Sequence, residues 1–189
     1  LNMNYDTRFV SRAGLKLQHA IDTFKLDIKN KTVADFGSST GGFVDCLLQN
    51  GAKKVYSIDT SYGELDWNLR NDKRVQVLER TNAMHVSIPE AVDLVTIDVG
   101  WTPQKKIMPN ACSMVKPGGA IISLIKPHYE SAPTALVKGV LPDEACAGVL
   151  DEVLRQIHLP GFEIRATTVS PIRGHGGNRE FLAHLVRMH

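Results

Sequence analysis

The sequence predicts a doubly wound, mostly parallel α/β sheet of seven strands, closed by an antiparallel last strand. Two observations predict it. Short strand-like apolar runs alternate with helical patterns through residue 158, which is the signature of a parallel sheet with crossover helices. Beyond that point the rhythm changes to two strands joined by a Gly-rich connection, which suits an antiparallel end.

The elements follow in order. Residues 11–27 place Leu15, Leu17, Ala20, Ile21 and Phe24 near helical spacing, with Ser11 as the expected N-cap. Strand-like runs come at 32–36, 54–59, 75–79, 92–98 and 120–126. Helical patterns at 41–50, 65–71, 103–115 and 143–158 alternate with them. Lys116-Pro117-Gly118-Gly119 reads as a helix stop and turn before the fifth strand. Residues 127–142 lack periodicity and read as a mobile loop beside the site. Residues 161–172 and 179–187 are the final two strands.

With 189 residues, 43% hydrophobic and 22% charged, the chain has the size of one globular domain with a real core. A net charge of +2 permits a polyanionic partner without demanding one. Cys46, Cys112 and Cys146 have no paired spacing, which suggests reduced thiols in a cytoplasmic protein. The longest apolar run, at 120–125, is strand-sized, so no membrane partner is expected. No His or acidic cluster has metal-ligand spacing.

The informative stretch is VADFGSSTGGFVDCLL at 33–48, a strand, a Gly-rich turn and a helix. Its spacing fits neither the dinucleotide fingerprint nor a P-loop, because no lysine follows the last glycine. The pattern is D-x-G-x-x-x-G-G, with Asp35 closing the strand. A carboxylate there suits a ligand with a cationic amino acid portion. Asp59 ends the second strand, where an acid can take both hydroxyls of a ribose. Glycines allow close backbone approach to a ligand. Together these features suit S-adenosyl-L-methionine; the alternative is a plain structural strand–turn–helix. Asn82, after the third strand, can hydrogen-bond an adenine edge or serve simply as a turn residue.

Acceptor chemistry belongs at the ends of the fourth and fifth strands, at Asp98 and Lys126. The chain has neither the Pro-Pro-aromatic segment of exocyclic-amine methylation nor a Pro-Cys nucleophile. A Lys/Asp pair suited to an alcohol acceptor is left. At this point SRAGLKL, DFGSSTGGF, SIDTSYGELDW, LERTNA, TIDV, LIKPHYE and GGNREFL together resemble the TlyA-type (hemolysin A) RNA methyltransferases. These belong to the FtsJ-like, or RrmJ-like, ribose 2′-O-methyltransferases, and the resemblance runs from about residue 8 to 187.

The resemblance implies a Rossmann-like class I methyltransferase fold and a catalytic Lys-Asp-Lys-Glu tetrad on Lys16, Asp98, Lys126 and Glu180. It puts S-adenosylmethionine contacts on Asp35, Gly37, Ser39, Gly41, Gly42, Asp59 and Asn82. It implies RNA, and specifically rRNA or ribosomal subunits, as the partner. It also implies that residues 1–10 are a linker remnant, that 11–189 form the methyltransferase domain, and that the family's N-terminal S4 RNA-binding domain is not part of this chain. Two segments depart from the family pattern, Gly100-Trp101-Thr102-Pro103 and Lys126-Pro127-His128-Tyr129-Glu130. Both bear on the acceptor more than on the reaction.

In this reading Asp98 orients Lys126, and Lys16 and Glu180 fix the ribose. Lys126 takes the hydroxyl proton late or stabilises the forming alkoxide. Neutralising a free lysine at pH 7 costs roughly 4.6 kcal/mol. Burial and Lys16 lower that cost, whereas Asp98 and Glu180 raise it. Trp101 and Tyr129 can stack a splayed base or simply pack. Lys53, Lys54, Arg70, Lys73 and Arg74 are candidate phosphate contacts or solvated faces. Closer to the acceptor crevice are Arg8, Arg12, Lys105, Lys106, Arg173 and Arg179. Alternatives are a non-catalytic RNA- or ribosome-binding module of the same fold, a methyltransferase for another alcohol, and a membrane-lytic protein.

Overall fold

The computed structural model describes residues 8–189, so the first seven residues of the expected linker lie outside the described part. The elements run α1 (Ala13–Phe24), β1 (Thr32–Phe36), α2 (Gly42–Gln49), β2 (Lys54–Ile58), α3 (Trp67–Arg70), β3 (Val75–Leu78), β4 (Val92–Ile97), α4 (Gln104–Met114), β5 (Val115–Ile125), α5 (Pro127–Glu130), α6 (Asp143–Gln156), β6 (Phe162–Val169) and β7 (Phe181–Arg187). Short 3-10 turns lie at Pro133–Ala135 and His175–Gly177.

The seven strands form one sheet in the order β3-β2-β1-β4-β5-β7-β6. The first five are parallel, and β7 inserts antiparallel between β5 and β6. Helices cover both faces. Leu17, Ile21, Val44, Leu47 and Leu69 fill one layer with Val33 and Val55. Ile107, Met108, Ala111, Leu150 and Val153 fill the other with Phe36, Ile97 and Ile121. All five residues of β1 are buried, as a central parallel strand requires. At the edge, β6 alternates in burial, with one face wet.

Four details differ from the sequence expectation. Ser11 is not the N-cap of α1. Arg12 holds that position in helical geometry, after a turn in which Gly14 N donates to Ser11 O at 3.2 Å. Lys25 ends α1 in the left-handed conformation, two residues short of the expected end. Lys116–Gly119 is not a separate turn. It belongs to β5, whose pairing with β4 shifts register between Val92 and Leu94. Residues 127–142 hold α5 and a 3-10 turn rather than only loop, because Pro127 sits at the first helical position, where its missing N–H costs nothing. Within the expected linker, Phe9 is buried and packs on Gly14, and Val10 N donates to Asp45 Oδ2 at 2.9 Å.

Candidate active site

The topology gathers chemistry at one sheet edge. Asp59, Asp98 and Lys126 each follow the last residue of a parallel strand, so all lie at the carboxyl edge. The antiparallel β7 begins at that same edge. Ile125 pairs with Phe181, so Lys126 and Glu180 emerge next to each other. Residues 54 positions apart in sequence are neighbours for this reason.

Two ion pairs result. Lys126 Nζ lies 2.6 Å from Asp98 Oδ1, with both side chains 16% exposed. Lys16 Nζ lies 2.5 Å from Glu180 Oε2, joining the first turns of α1 to the start of β7. Burial pulls the Lys126 pKa down, but the Asp98 carboxylate beside it and Glu180 further off outweigh burial and raise it. The balance left open by the sequence is thus decided for the charged form of Lys126. His128 feels burial and then both Lys126 and Lys16, which hold its pKa low. All four proposed catalytic side chains therefore sit in one electrostatic neighbourhood.

A cavity of about 580 Å³ opens in front of this edge. Gly37, Ser38, Ser39 and Thr40 form one side, and Asp59, Ser61 and Glu64 form the next. Thr81, Asn82 and Ala83 lie beyond, and Asp98, Trp101 and Lys126 complete the wall. Asp59 braces the Gly-rich loop: its Oδ2 accepts from Ser39 N at 2.7 Å, and its Oδ1 accepts from Ser61 N and Oγ, each at 2.8 Å. Ser39 adopts φ 48°, a conformation held by that contact. Asn82 Oδ1 accepts from Met84 N at 2.9 Å, so the residue both lines the cavity and caps a turn.

Three of the expected cofactor residues stand behind the wall. Asp35 is fully buried. Its Oδ1 accepts from Thr96 Oγ1 at 2.6 Å, whereas its Oδ2 has no partner. Burial pushes its pKa up to about 7. Gly41 and Gly42 serve protein packing. A Cβ on Gly41 would lie 2.4 Å from Leu69 Cδ1, and one on Gly42 would lie 2.2 Å from Ser11 Oγ and 2.9 Å from Gly14 N. These glycines seat α2 against α1 and α3. Gly37 does border the cavity, with φ 85°, and a Cβ there would strike Asp98 O at 2.4 Å.

Sequence reasoning missed four contributors. Ser11 and Ala13, at the start of α1, line the cavity, although nothing in their pattern signals a ligand. Gln104 is buried and takes a hydrogen bond from Ser123 Oγ at 2.5 Å, tying α4 to β5. Glu130 Oε1 accepts from Gln104 N at 2.8 Å and so fastens α5 to the start of α4. That last bond was foreshadowed only by an acid three residues after Pro127.

A family model for the FtsJ-like methyltransferases matches residues 9–187. The chain belongs to the FtsJ-like methyltransferase family. Within it, YqxC of Bacillus subtilis, an rRNA methyltransferase candidate, is 40% identical over 94% of this chain and 66% of its own length. The 16S/23S rRNA (cytidine-2′-O)-methyltransferase TlyA of Mycobacterium tuberculosis H37Rv is 35% identical, over 94% of this chain and 68% of its own. The chain therefore spans about two thirds of these relatives. The crystal structure of a hemolysin candidate from Lactococcus lactis superposes with TM-score 0.90 at 38% identity, covering 95% of this chain and 88% of that one. No helix among the described residues is long and apolar enough to cross a membrane.

Proposed function

We propose that this FtsJ-like chain is an S-adenosylmethionine-dependent RNA methyltransferase that modifies a ribose 2′-hydroxyl of ribosomal RNA in the cytoplasm. The observation that carries this reading is the Lys126–Asp98 ion pair, which ends in the wall of a cavity large enough for a nucleoside-sized ligand and an acceptor group.

The residues present fit the cofactor. Asp35 Oδ2 is a buried acceptor lacking a donor, beneath a backbone loop that borders the cavity. A buried carboxyl that has lost its hydration is stabilised in its charged form by a nearby cation, and the methionine ammonium is one. Asp59 keeps lone-pair capacity for ribose hydroxyls beyond its three donors. Asn82 and Ala83 flank the region where an adenine edge would lie. Bound S-adenosylmethionine supplies a methyl group activated on a sulfonium sulfur.

The chain's own residues do the rest. Positioning the acceptor oxygen in line with the methyl carbon carries much of the acceleration. Lys126, held cationic by Asp98, stabilises the ribose oxygen as its O–H bond weakens, which is the electrostatic role rather than that of a resting base. The proton departs late, when the newly methylated oxygen is strongly acidic, and passes to solvent water or to the Asp98 carboxylate beside Lys126. Lys16 and Glu180 lock each other and present the ribose between α1 and β7. Lys126→Ala should reduce methyl transfer to RNA by at least about a hundredfold while leaving calorimetric S-adenosylmethionine binding near wild type. Near-normal turnover in that variant would remove Lys126 from the mechanism.

A further inference from the structure

A second hollow, of about 560 Å³, opens at the opposite, amino edge of the sheet and shares no lining residue with the cavity described above. The stretch Ala120–Ile125 of β5 sets it roughly 17 Å from the acceptor edge, at about 3.3 Å per residue. Its apolar lining comes from Leu94 of β4, Ala120 of β5 and Val186 of β7, with Leu26 and Ile28 from the segment that joins α1 to β1. His184 of β7 is the polar group set among them. It is only 9% exposed and stacks on Phe24, with ring centroids 5.3 Å apart. Neither ring nitrogen has a hydrogen-bond partner among the described residues, and neither is sealed from solvent, so both are open to an occupant of the hollow. Burial holds the imidazole pKa low, and the Arg165 charge holds it lower.

The charged lining is unbalanced toward cations: Lys25, Lys31, Lys116 and Arg165 stand against Asp27 and Asp93. Both carboxylates are occupied within the protein. Asp27 Oδ1 accepts from Lys29 N at 3.0 Å, Asp93 Oδ2 accepts from Thr32 N at 2.8 Å, and Asp93 Oδ1 accepts from Lys116 Nζ at 3.0 Å. Arg165 pairs with Glu163. The side chains of Lys25 and Lys31 hold no hydrogen bond or ion pair among the described residues, and Lys31 acts on Asp93 only through space. His189 adds a second imidazole, close enough to Gly118 that a Cβ there would lie 2.8 Å from its Cε1. An occupant that uses these groups brings an anion to two unengaged ammonium groups and a buried imidazole, and an apolar body to the lining. A phosphate presents acceptor oxygens to several donors at once, where a carboxylate has only two. The volume is that of a small-molecule site.

We propose that this hollow binds a small phosphate monoester of nucleotide size, with Lys25 and Lys31 on the phosphate and Phe24, His184 and Val186 against the apolar body. The site is separate from methyl transfer, so it stands whichever acceptor the first cavity serves.

The His184 ring is the reporter, its NMR signals assigned by their loss in His184→Gln. Titration with adenosine 5′-monophosphate should move those signals to saturation. The ring's titration midpoint should rise in the complex, because an anion stabilises the imidazolium, and affinity should grow as pH is lowered. Lys25→Gln combined with Lys31→Gln removes two charges that the fold does not use, and should weaken binding by at least roughly tenfold with an unchanged melting temperature. Adenosine, which lacks the phosphate, should leave the ring unmoved at the same concentration. A His184 ring that does not respond to the monophosphate would overturn the proposal. So would wild-type affinity in the double variant, or adenosine binding as tightly as its monophosphate. Orthophosphate binding as tightly as the nucleotide would refute the part given to the apolar lining. A response to a short RNA but not to the monophosphate would give the hollow to the RNA backbone and refute a small-molecule occupant.

Discussion

Asp35 is the residue whose burial conflicts most with its charge. Its carboxyl titrates near 7 in the fold against an ordinary 3.8, because burial outweighs its bond from Thr96. The sign follows directly. The folded chain holds this proton longer than the unfolded chain, so stability is highest below 3.8, falls as pH rises toward 7, and stays low above that. The difference corresponds to about 4 kcal/mol. Asp35→Asn keeps the shape and the acceptor for Thr96 while removing the ionisation. Thermal melts should show the variant more stable than wild type at pH 8, with the advantage shrinking toward pH 4. The same substitution should weaken S-adenosylmethionine binding, since the counterion for the ammonium is gone. A wild-type melting profile flat between pH 4 and 8 would contradict this account of Asp35. Lys126 behaves in the opposite manner. Its raised pKa keeps it charged through the neutral range, and the Asp98 pair is lost only as pH rises above 10.5.

Among the elements, the strand-to-helix join after β1 is under the tightest steric control. Gly37 has positive φ, and its missing Cβ leaves room for Asp98 O at the end of β4. Gly37→Ala should lower stability by roughly 2 kcal/mol, or about 4–8 °C in melting temperature, and should displace Asp98 enough to slow transfer. A melting point within a degree of wild type would show that the loop absorbs the methyl group. The central parallel strands β1 and β4 were legible in the sequence because both their faces are covered, so their apolar runs are nearly continuous. Lys16 and Glu180 had no local signal. Each reads as an ordinary charged residue, and only the family resemblance joined them before the antiparallel register of β7 brought them together. The Gly-rich loop was expected to let its backbone approach a ligand; Gly37 borders the cavity, whereas the space a side chain would take at Gly41 and Gly42 is filled by Leu69 and by Ser11 and Gly14, because a glycine pattern does not say whether ligand or protein fills the space beside it. The segment after Lys126 hid its short helix, since four residues are too few to show a 3.6-residue period.

At the scale of the whole molecule, the site is assembled from the two ends of the chain. Lys16 and Glu180 are 164 residues apart and almost fully buried, so each needs the other. Glu180→Ala leaves a buried ammonium unpaired and should cost about 3 kcal/mol, visible as a lower urea midpoint with unchanged slope. A midpoint equal to wild type would mean that Lys16 finds another partner. Charge is the second global feature. Many cations considered for RNA contact are engaged: Lys54 with Glu90, Arg70 with Glu79, Arg74 with Asp72, and Arg173 and Arg179 with Asp143. Arg12, Lys105 and Lys106 stand exposed close to the cavity. With about three phosphate contacts, RNA affinity should fall roughly twentyfold between 50 and 200 mM salt, as filter binding would measure. A fall of a thousandfold would require a much larger basic surface than this fold offers. The most direct measurement for the whole account is the position of the methyl group. Incubation of ribosomal subunits with isotopically labelled S-adenosylmethionine and this chain, followed by alkaline hydrolysis of the rRNA, should leave the label in alkali-resistant dinucleotides, with Lys126→Ala leaving none. Label recovered on a base, on protein, or equally in the Lys126 variant would contradict a 2′-hydroxyl acceptor activated beside the Lys126–Asp98 pair.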